Sequence, residues 1–243
     1  AAAAQRAGRS RDDVTLVAVS KTRGAEAVVA AYAAGLRIFG ENRVEEAGPK
    51  AAAVAALLAR WPEKAGRSVT TDPPIWHMIG HVQSRKAGDV LPWAQMVHSV
   101  DSARLARRLG EAAGQAGQIL PVLLEVNIAG EASKYGVAPT EAPAVIDAIL
   151  EQPALRLEGL MTVAPIVALP EEARPPFKAL ARLRAALATH YAQVNWRHLS
   201  MGMTDDFEVA IEEGATIVRI GRAIFGQRNY AGGAPPGISG KEG

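Results

Sequence analysis

The chain has no cysteine, which excludes disulfides, thiolate metal sites and cysteine nucleophiles together. Aromatic residues are scarce, 5% of the 243 residues, and none is interleaved with the densest basic cluster, Arg104, Arg107 and Arg108. A stacking surface for nucleic-acid bases therefore has no support, and at helical spacing these arginines read as a solvated helix face. Net charge is almost absent, since 27 Lys+Arg against 25 Asp+Glu leave +2. No apolar run is long enough to cross a bilayer, and the opening Ala1–Ala4 lacks the charged-then-apolar layout of a signal peptide. The expectation is a cytoplasmic, monomeric protein with neither a nucleic-acid nor a membrane partner.

What is present is 49% hydrophobic and 21% charged residues, the composition of a globular protein long enough for one large core. Short apolar, β-branched runs alternate with helical ones. Thr15–Ser20 has no polar alternation, as a strand buried on both faces should not. Further strands are expected at Ile38–Gly40, Ile75–Ile79, Met96–Val100, Leu120–Ile128, Leu155–Val163, His198–Ser200 and Ile217–Ile220. Helices are expected between them: Ala25–Ala34, Val44–Ala59, one capped by Ser102, Thr140–Leu150, Pro176–His190 with Phe177, Leu180, Leu183 and Leu187 on one stripe, and Asp205–Glu213. Repeated βα units imply a parallel sheet, and eight of them in this length fit a single (β/α)8 TIM barrel. The rival is an open doubly wound sheet, which lacks its Gly-x-Gly-x-x-Gly after the first strand. The barrel is expected over residues 1–230, followed by a flexible tail at 231–243 containing Ala231-Gly-Gly-Ala-Pro-Pro-Gly237.

In such a barrel chemistry sits at the C-terminal strand ends. Lys21 ends the first strand on the face of Val17 and Val19. Apolar walls would lower its pKa and free the neutral amine that Schiff-base chemistry needs; snorkelling to solvent is the other reading. Ser200-Met201-Gly202 and Gly221-Arg222-Ala223, after the seventh and eighth strands, read as a phosphate cup of backbone N–H groups, or as plain tight turns. Arg219 lies on a strand and must find an acceptor, either a carboxylate such as Glu125 or a ligand's ring nitrogen. His77 and His81 are four apart on strand and turn with no third ligand near, so no metal site is expected. Trp76 reads as core, Glu45 and Glu46 as helix surface, and Asp205 and Asp206 as first-turn carboxylates.

Val17-Ala-Val-Ser-Lys-Thr22, Phe39-Gly-Glu-Asn-Arg43, Trp76-His-Met-Ile-Gly80, Gly159-Leu-Met-Thr162, Leu199-Ser-Met-Gly-Met203, and Val218-Arg-Ile-Gly221 with Ala223-Ile-Phe-Gly226 resemble the YggS/PROSC family of pyridoxal 5′-phosphate (PLP) homeostasis proteins. The resemblance runs in order from about Val14 to Gly226. It implies a fold-type III barrel like the N-terminal domain of alanine racemase, with a Schiff base to PLP on Lys21. It further implies that Ser200 and Gly221, with the N–H groups of Met201 and Arg222, hold the phosphate, that Arg219 faces the pyridine nitrogen, and that Asn42 lies near the phenolic oxygen. Family members buffer or deliver the cofactor, with apo PLP-dependent enzymes as recipients, and have no substantial catalysis. The family usually has threonine where this chain has Arg222. The alternatives are a PLP-dependent amino-acid racemase using a tyrosine such as Tyr135, and a cofactor-free Schiff-base aldolase using Lys21.

Overall fold

A computed structural model describes residues 1–60, 72–131 and 133–227. Eight parallel strands close into a barrel in chain order. They are β1 (Thr15–Val19), β2 (Ile38–Glu41), β3 (Ile75–Met78), β4 (Met96–Val100), β5 (Leu120–Glu125), β6 (Leu155–Met161), β7 (His198–Ser200) and β8 (Ile217–Ile220). Helices α1 (Ala2–Arg6), α2 (Ala25–Ala33), α3 (Val44–Ala59), α4 (Ala87–Val90), α5 (Ala103–Gln115), α6 (Ala142–Leu150), α7 (Arg174–His190), α8 (Phe207–Glu212) and α9 (Arg222–Phe225) precede and connect them. The expected tail at 231–243 lies outside the described residues, as do 228–230.

The strands are buried on both sides, so side-chain alternation separates two cores. Val17, Met96, Leu123, Met161 and Ile217 come from five strands and pack together, which only the barrel interior permits. The larger core joins the outer sheet face to the helices through residues such as Ala18, Phe39, Leu124, Leu160 and Val218. Trp76 belongs to it, as expected. The α7 stripe buries Phe177, Leu180 and Leu187, and Ser102 caps α5 by accepting from the Leu105 amide at 3.3 Å. Gly159 has φ +149°, and a Cβ there would stand 1.9 Å from the His198 carbonyl oxygen. Only glycine lets β6 approach β7 that closely.

Several boundaries differ from expectation, among them β6, which stops at Met161 rather than Val163. β5 ends at Glu125 rather than Ile128: Val126 makes an isolated bridge to Val137, and the Asn127 side chain grips the Glu131 carbonyl at 2.8 Å. Asp206 precedes α8 instead of lying in its first turn. Its Oδ1 accepts from the Met203 amide at 2.6 Å and ties the loop after β7 back on itself. Among the described residues, no helix is long and apolar enough to cross a membrane, and no group of three or more His, Asp or Glu could hold a metal ion.

Candidate functional site

The strand order β7–β8–β1–β2 sets four loop-bearing strand ends side by side. Val19 pairs with Gly40 and Ala18 with Ile220. Lys21, Asn42 and Gly221 lie one or two residues past the ends of these neighbouring strands, and Gly221 packs against Val19. On the other side, the Arg219 amide donates to the Gly202 carbonyl at 3.0 Å, joining the loops after β7 and β8. Lys21, Asn42, Arg219 and the two glycine turns therefore occupy one arc of the barrel mouth.

The turn carrying Lys21 is held under backbone strain. Thr22 has φ +64°, an outlier for a β-branched residue, and such conformations cluster at functional sites. Behind the turn stands a buried ion pair that sequence reasoning missed. Lys50, on α3, donates to Glu41 Oε1 at 2.7 Å and to the Ser20 carbonyl at 2.9 Å; the Ser20 hydroxyl donates to the same Glu41 oxygen at 2.6 Å. Both ends of Ser20, the residue before Lys21, are thus fixed. The signal was present in Glu41 and Lys50, but helical spacing alone does not show that Lys50 turns inward.

Arg219 is 4% exposed. Its Nη1 donates to Ser200 Oγ at 2.6 Å and its Nη2 to the Thr162 carbonyl at 2.8 Å. Burial lowers its pKa to about 10, with Glu125 and Asp206 acting in the other direction, so it stays charged at neutral pH. Its hydrogen bonds go to neutral oxygens rather than to Glu125. Glu125 is itself buried, with Oε2 unpartnered among the described residues, and burial pushes its carboxyl up to about 7 with a further push from Asp101. Further in, His98 joins Ser200 Oγ at 2.9 Å and His77 at 3.0 Å. His77 was considered above only as a metal ligand; His98 was passed over as part of a strand.

The two turns of the expected phosphate cup differ. Ser200 is fully buried with its hydroxyl engaged, and the Met201 amide donates to the Ile217 carbonyl at 3.1 Å. The amides of Gly221, Arg222 and Ala223 donate to no acceptor among the described residues. The Arg222 guanidinium pairs with Asp205 at the surface. Asn42 Oδ1 is buried with no partner among the described residues. On the far rim Tyr135 stacks on His81, centroids 4.0 Å apart, and His81 is bonded to Asp101 at 2.8 Å. Lys134 pairs with Glu131 at 2.7 Å.

Residues 2–229 match the family described as alanine racemase, N-terminal domain. The pyridoxal phosphate homeostasis protein of Pseudomonas aeruginosa is 46% identical over 233 residues, 96% of this chain and 92% of that protein. The protein of the same name from Aquifex aeolicus is 40% identical over 228 residues, 94% of this chain and 93% of that one. The solved structure of PipY from Synechococcus elongatus with PLP bound superposes with a TM-score of 0.78 at 34% identity, covering 92% of this chain and 97% of that one. The match of the family to residues 2–229, together with 46% identity to the Pseudomonas aeruginosa protein over 96% of this chain, shows that the chain belongs to the alanine racemase N-terminal domain family and, within it, to the pyridoxal phosphate homeostasis proteins.

Proposed function

We propose that this protein binds PLP covalently through Lys21 and buffers or delivers it, without turning over an amino-acid substrate. The residues present fit the group. The open amides of Gly221 and Arg222 suit a phosphate, whereas the Met201 amide and the Ser200 hydroxyl are already engaged within the protein. Asn42, whose side chain can donate through Nδ2, suits the phenolic oxygen. When bound, the cofactor supplies an aldehyde that condenses with a primary amine and a ring that delocalises charge.

The observation that carries the reading is Arg219, a buried cation whose two hydrogen bonds leave N–H groups to spare. A guanidinium facing the pyridine nitrogen donates to it and, by like-charge repulsion, keeps it unprotonated. An unprotonated ring is a poor electron sink, which disfavours carbanion chemistry. Tyr135, the acid of the racemase alternative, stacks on His81 at the exposed rim. A reservoir role suits a cytoplasmic protein acting as a monomer, with apo PLP-dependent enzymes as the recipients of its cofactor.

Purified protein mixed with PLP should show a visible band that borohydride fixes as an adduct on Lys21. Lys21→Ala should lose the band and keep the fold. Pyridoxal without its phosphate should bind at least about 100-fold more weakly, since charge-assisted bonds are worth roughly 1.5–3 kcal/mol each. Racemisation of alanine or serine at about 1 s⁻¹ or faster would overturn the non-catalytic part of the reading.

A further inference from the structure

Four side chains from four strands form a continuous line of hydrogen bonds through the barrel interior. Arg219 Nη1 lies 2.6 Å from Ser200 Oγ, Ser200 Oγ 2.9 Å from His98 Nδ1, and His98 Nε2 3.0 Å from His77 Nδ1. All four residues are buried.

Counting hydrogens gives the line a direction. A guanidinium only donates, so Ser200 Oγ accepts from Arg219. The serine has one hydrogen and one remaining lone pair. If His98 carried its proton on Nδ1, it would fill that lone pair, and the serine hydrogen would need a third partner. Among the described residues Ser200 Oγ has only Arg219 and His98, and an unmet buried donor is costly. With the proton on Nε2 each of the three links has one donor and one acceptor, Arg219 to Ser200, Ser200 to His98 and His98 to His77, and the His77 hydrogen sits on its Nε2.

We propose that Ser200, His98 and His77 are positioning residues for Arg219, with the Ser200 hydroxyl turned inward to His98 rather than outward to a phosphate. This rests on the reading of Arg219 as the group that meets the cofactor ring. The arrangement needs neutral imidazoles, because an imidazolium would donate at both nitrogens. Burial supplies that condition: it lowers His77 to about 4, with His198 adding to the effect, and holds His98 well below the usual histidine range, with His77 and Arg219 adding to it. The consequence concerns specificity. Ser200 contributes to ring binding, and the phosphate preference comes from the Gly221 and Arg222 amides.

The test compares PLP with pyridoxal on the full chain, by titration of the visible band. Ser200→Ala and His98→Leu should weaken both ligands by a similar factor, about tenfold, and shift the band of the bound cofactor. His98→Asn, which keeps an acceptor beside Ser200, should recover most of the loss. A Ser200→Ala protein that loses affinity for PLP alone would overturn the proposal, as would a His98→Leu protein that binds and absorbs like the wild type. The ligand-free wild type gives a second measurement that needs no variant to fold. Nitrogen-15 NMR should find His98 protonated on Nε2 and bare on Nδ1, and the opposite tautomer refutes the relay. If the wild type binds no PLP, the cofactor reading fails while the tautomer still decides the relay.

Discussion

Replacing Lys50 by methionine removes one half of an ion pair whose other half cannot reach water. Glu41 has no exposed surface and Lys50 only 9% of its side chain. Both Lys50 bonds disappear, to Glu41 Oε1 at 2.7 Å and to the Ser20 carbonyl at 2.9 Å, and Glu41 keeps one neutral partner, the Ser20 hydroxyl. Its second oxygen is already without one. Breaking a buried pair by removing one partner costs about 3–5 kcal/mol, because a buried charge is left behind. Exposed pairs cost about 0.2–1 kcal/mol. At about 2–4 °C per kcal/mol for a chain of this size, Lys50→Met should lower Tm by roughly 6–20 °C. Adding Glu41→Gln should return much of that, since a neutral amide needs no counter-ion. The measurement is thermal or urea unfolding of the single and double variants. A loss below about 1 kcal/mol, the value of a surface pair, or a double variant less stable than Lys50→Met, would refute the reasoning. Cofactor affinity should also fall in the single variant, because Ser20, next to Lys21, loses one of its anchors.

Glu125→Gln should change how stability depends on pH. Burial, with a further push from Asp101, raises the folded carboxyl from the usual 4.5 to about 7. The native state therefore holds more protons than the unfolded state between those values, and stability from this group is full below about 4.5 and lost as pH rises through about 7. Removing the carboxyl should raise stability at pH 8 relative to pH 5 by an amount on the order of 3 kcal/mol, read from urea midpoints; an unchanged pH profile would show that Glu125 ionises freely. Thr22→Gly should be neutral or stabilising in the same assay, because relief of a left-handed β-branched residue, about 1–2 kcal/mol, meets a glycine entropy cost of about 0.5–1 kcal/mol. Gly159→Ala should cost more than about 4 kcal/mol, since its Cβ would collide with the His198 carbonyl. Arg222→Thr should change PLP affinity less than about tenfold, because the guanidinium pairs with Asp205 and the backbone amide remains; a larger gain or loss by titration would assign the side chain a direct role.

The barrel was legible because the strands read as apolar runs and helical patterns follow most of them. Met96–Val100, His198–Ser200 and Ile217–Ile220 fall where the sequence puts them. Strand ends were less legible: Val126 and Asn127 continue an apolar run, yet tertiary contacts with Val137 and Glu131 draw them off the sheet. For the site, strand-end position pointed to Lys21 and to the Ser200 and Gly221 turns, whereas Asn42 and the ligand-facing role of Arg219 came with the family resemblance. The interior polar line was not legible. His77 and His98 look like ordinary strand residues until closure of the barrel turns both inward, and Ser200 looks like a loop-side hydroxyl until its register with Ile217 places it on the inner face. Separation along the chain hides such contacts, as Ser200 and His98 are 102 residues apart.

A buried guanidinium without a carboxylate in hydrogen-bond contact is a costly feature for a small core, and here it is supported from below by neutral groups alone. Ser200 and the Thr162 carbonyl take two of its hydrogens, while Glu125 and Asp206 act only through space. A ligand atom able to accept from the remaining N–H groups would relieve that deficit, so the loaded protein should be markedly more stable than the ligand-free one. With PLP at about 100 times its dissociation constant the gain is about 2.7 kcal/mol, which corresponds to a rise in Tm of roughly 5–11 °C at this chain length. Arg219 separates this effect from simple tethering through Lys21. Arg219→Gln should bind PLP more weakly at equal concentration, yet its ligand-free form should lose little stability or even gain some, because the buried charge is gone. A ligand-free Arg219→Gln protein destabilised by more than about 3 kcal/mol, the range for breaking a buried ionic network, would show that the arginine serves the fold before it serves the ligand.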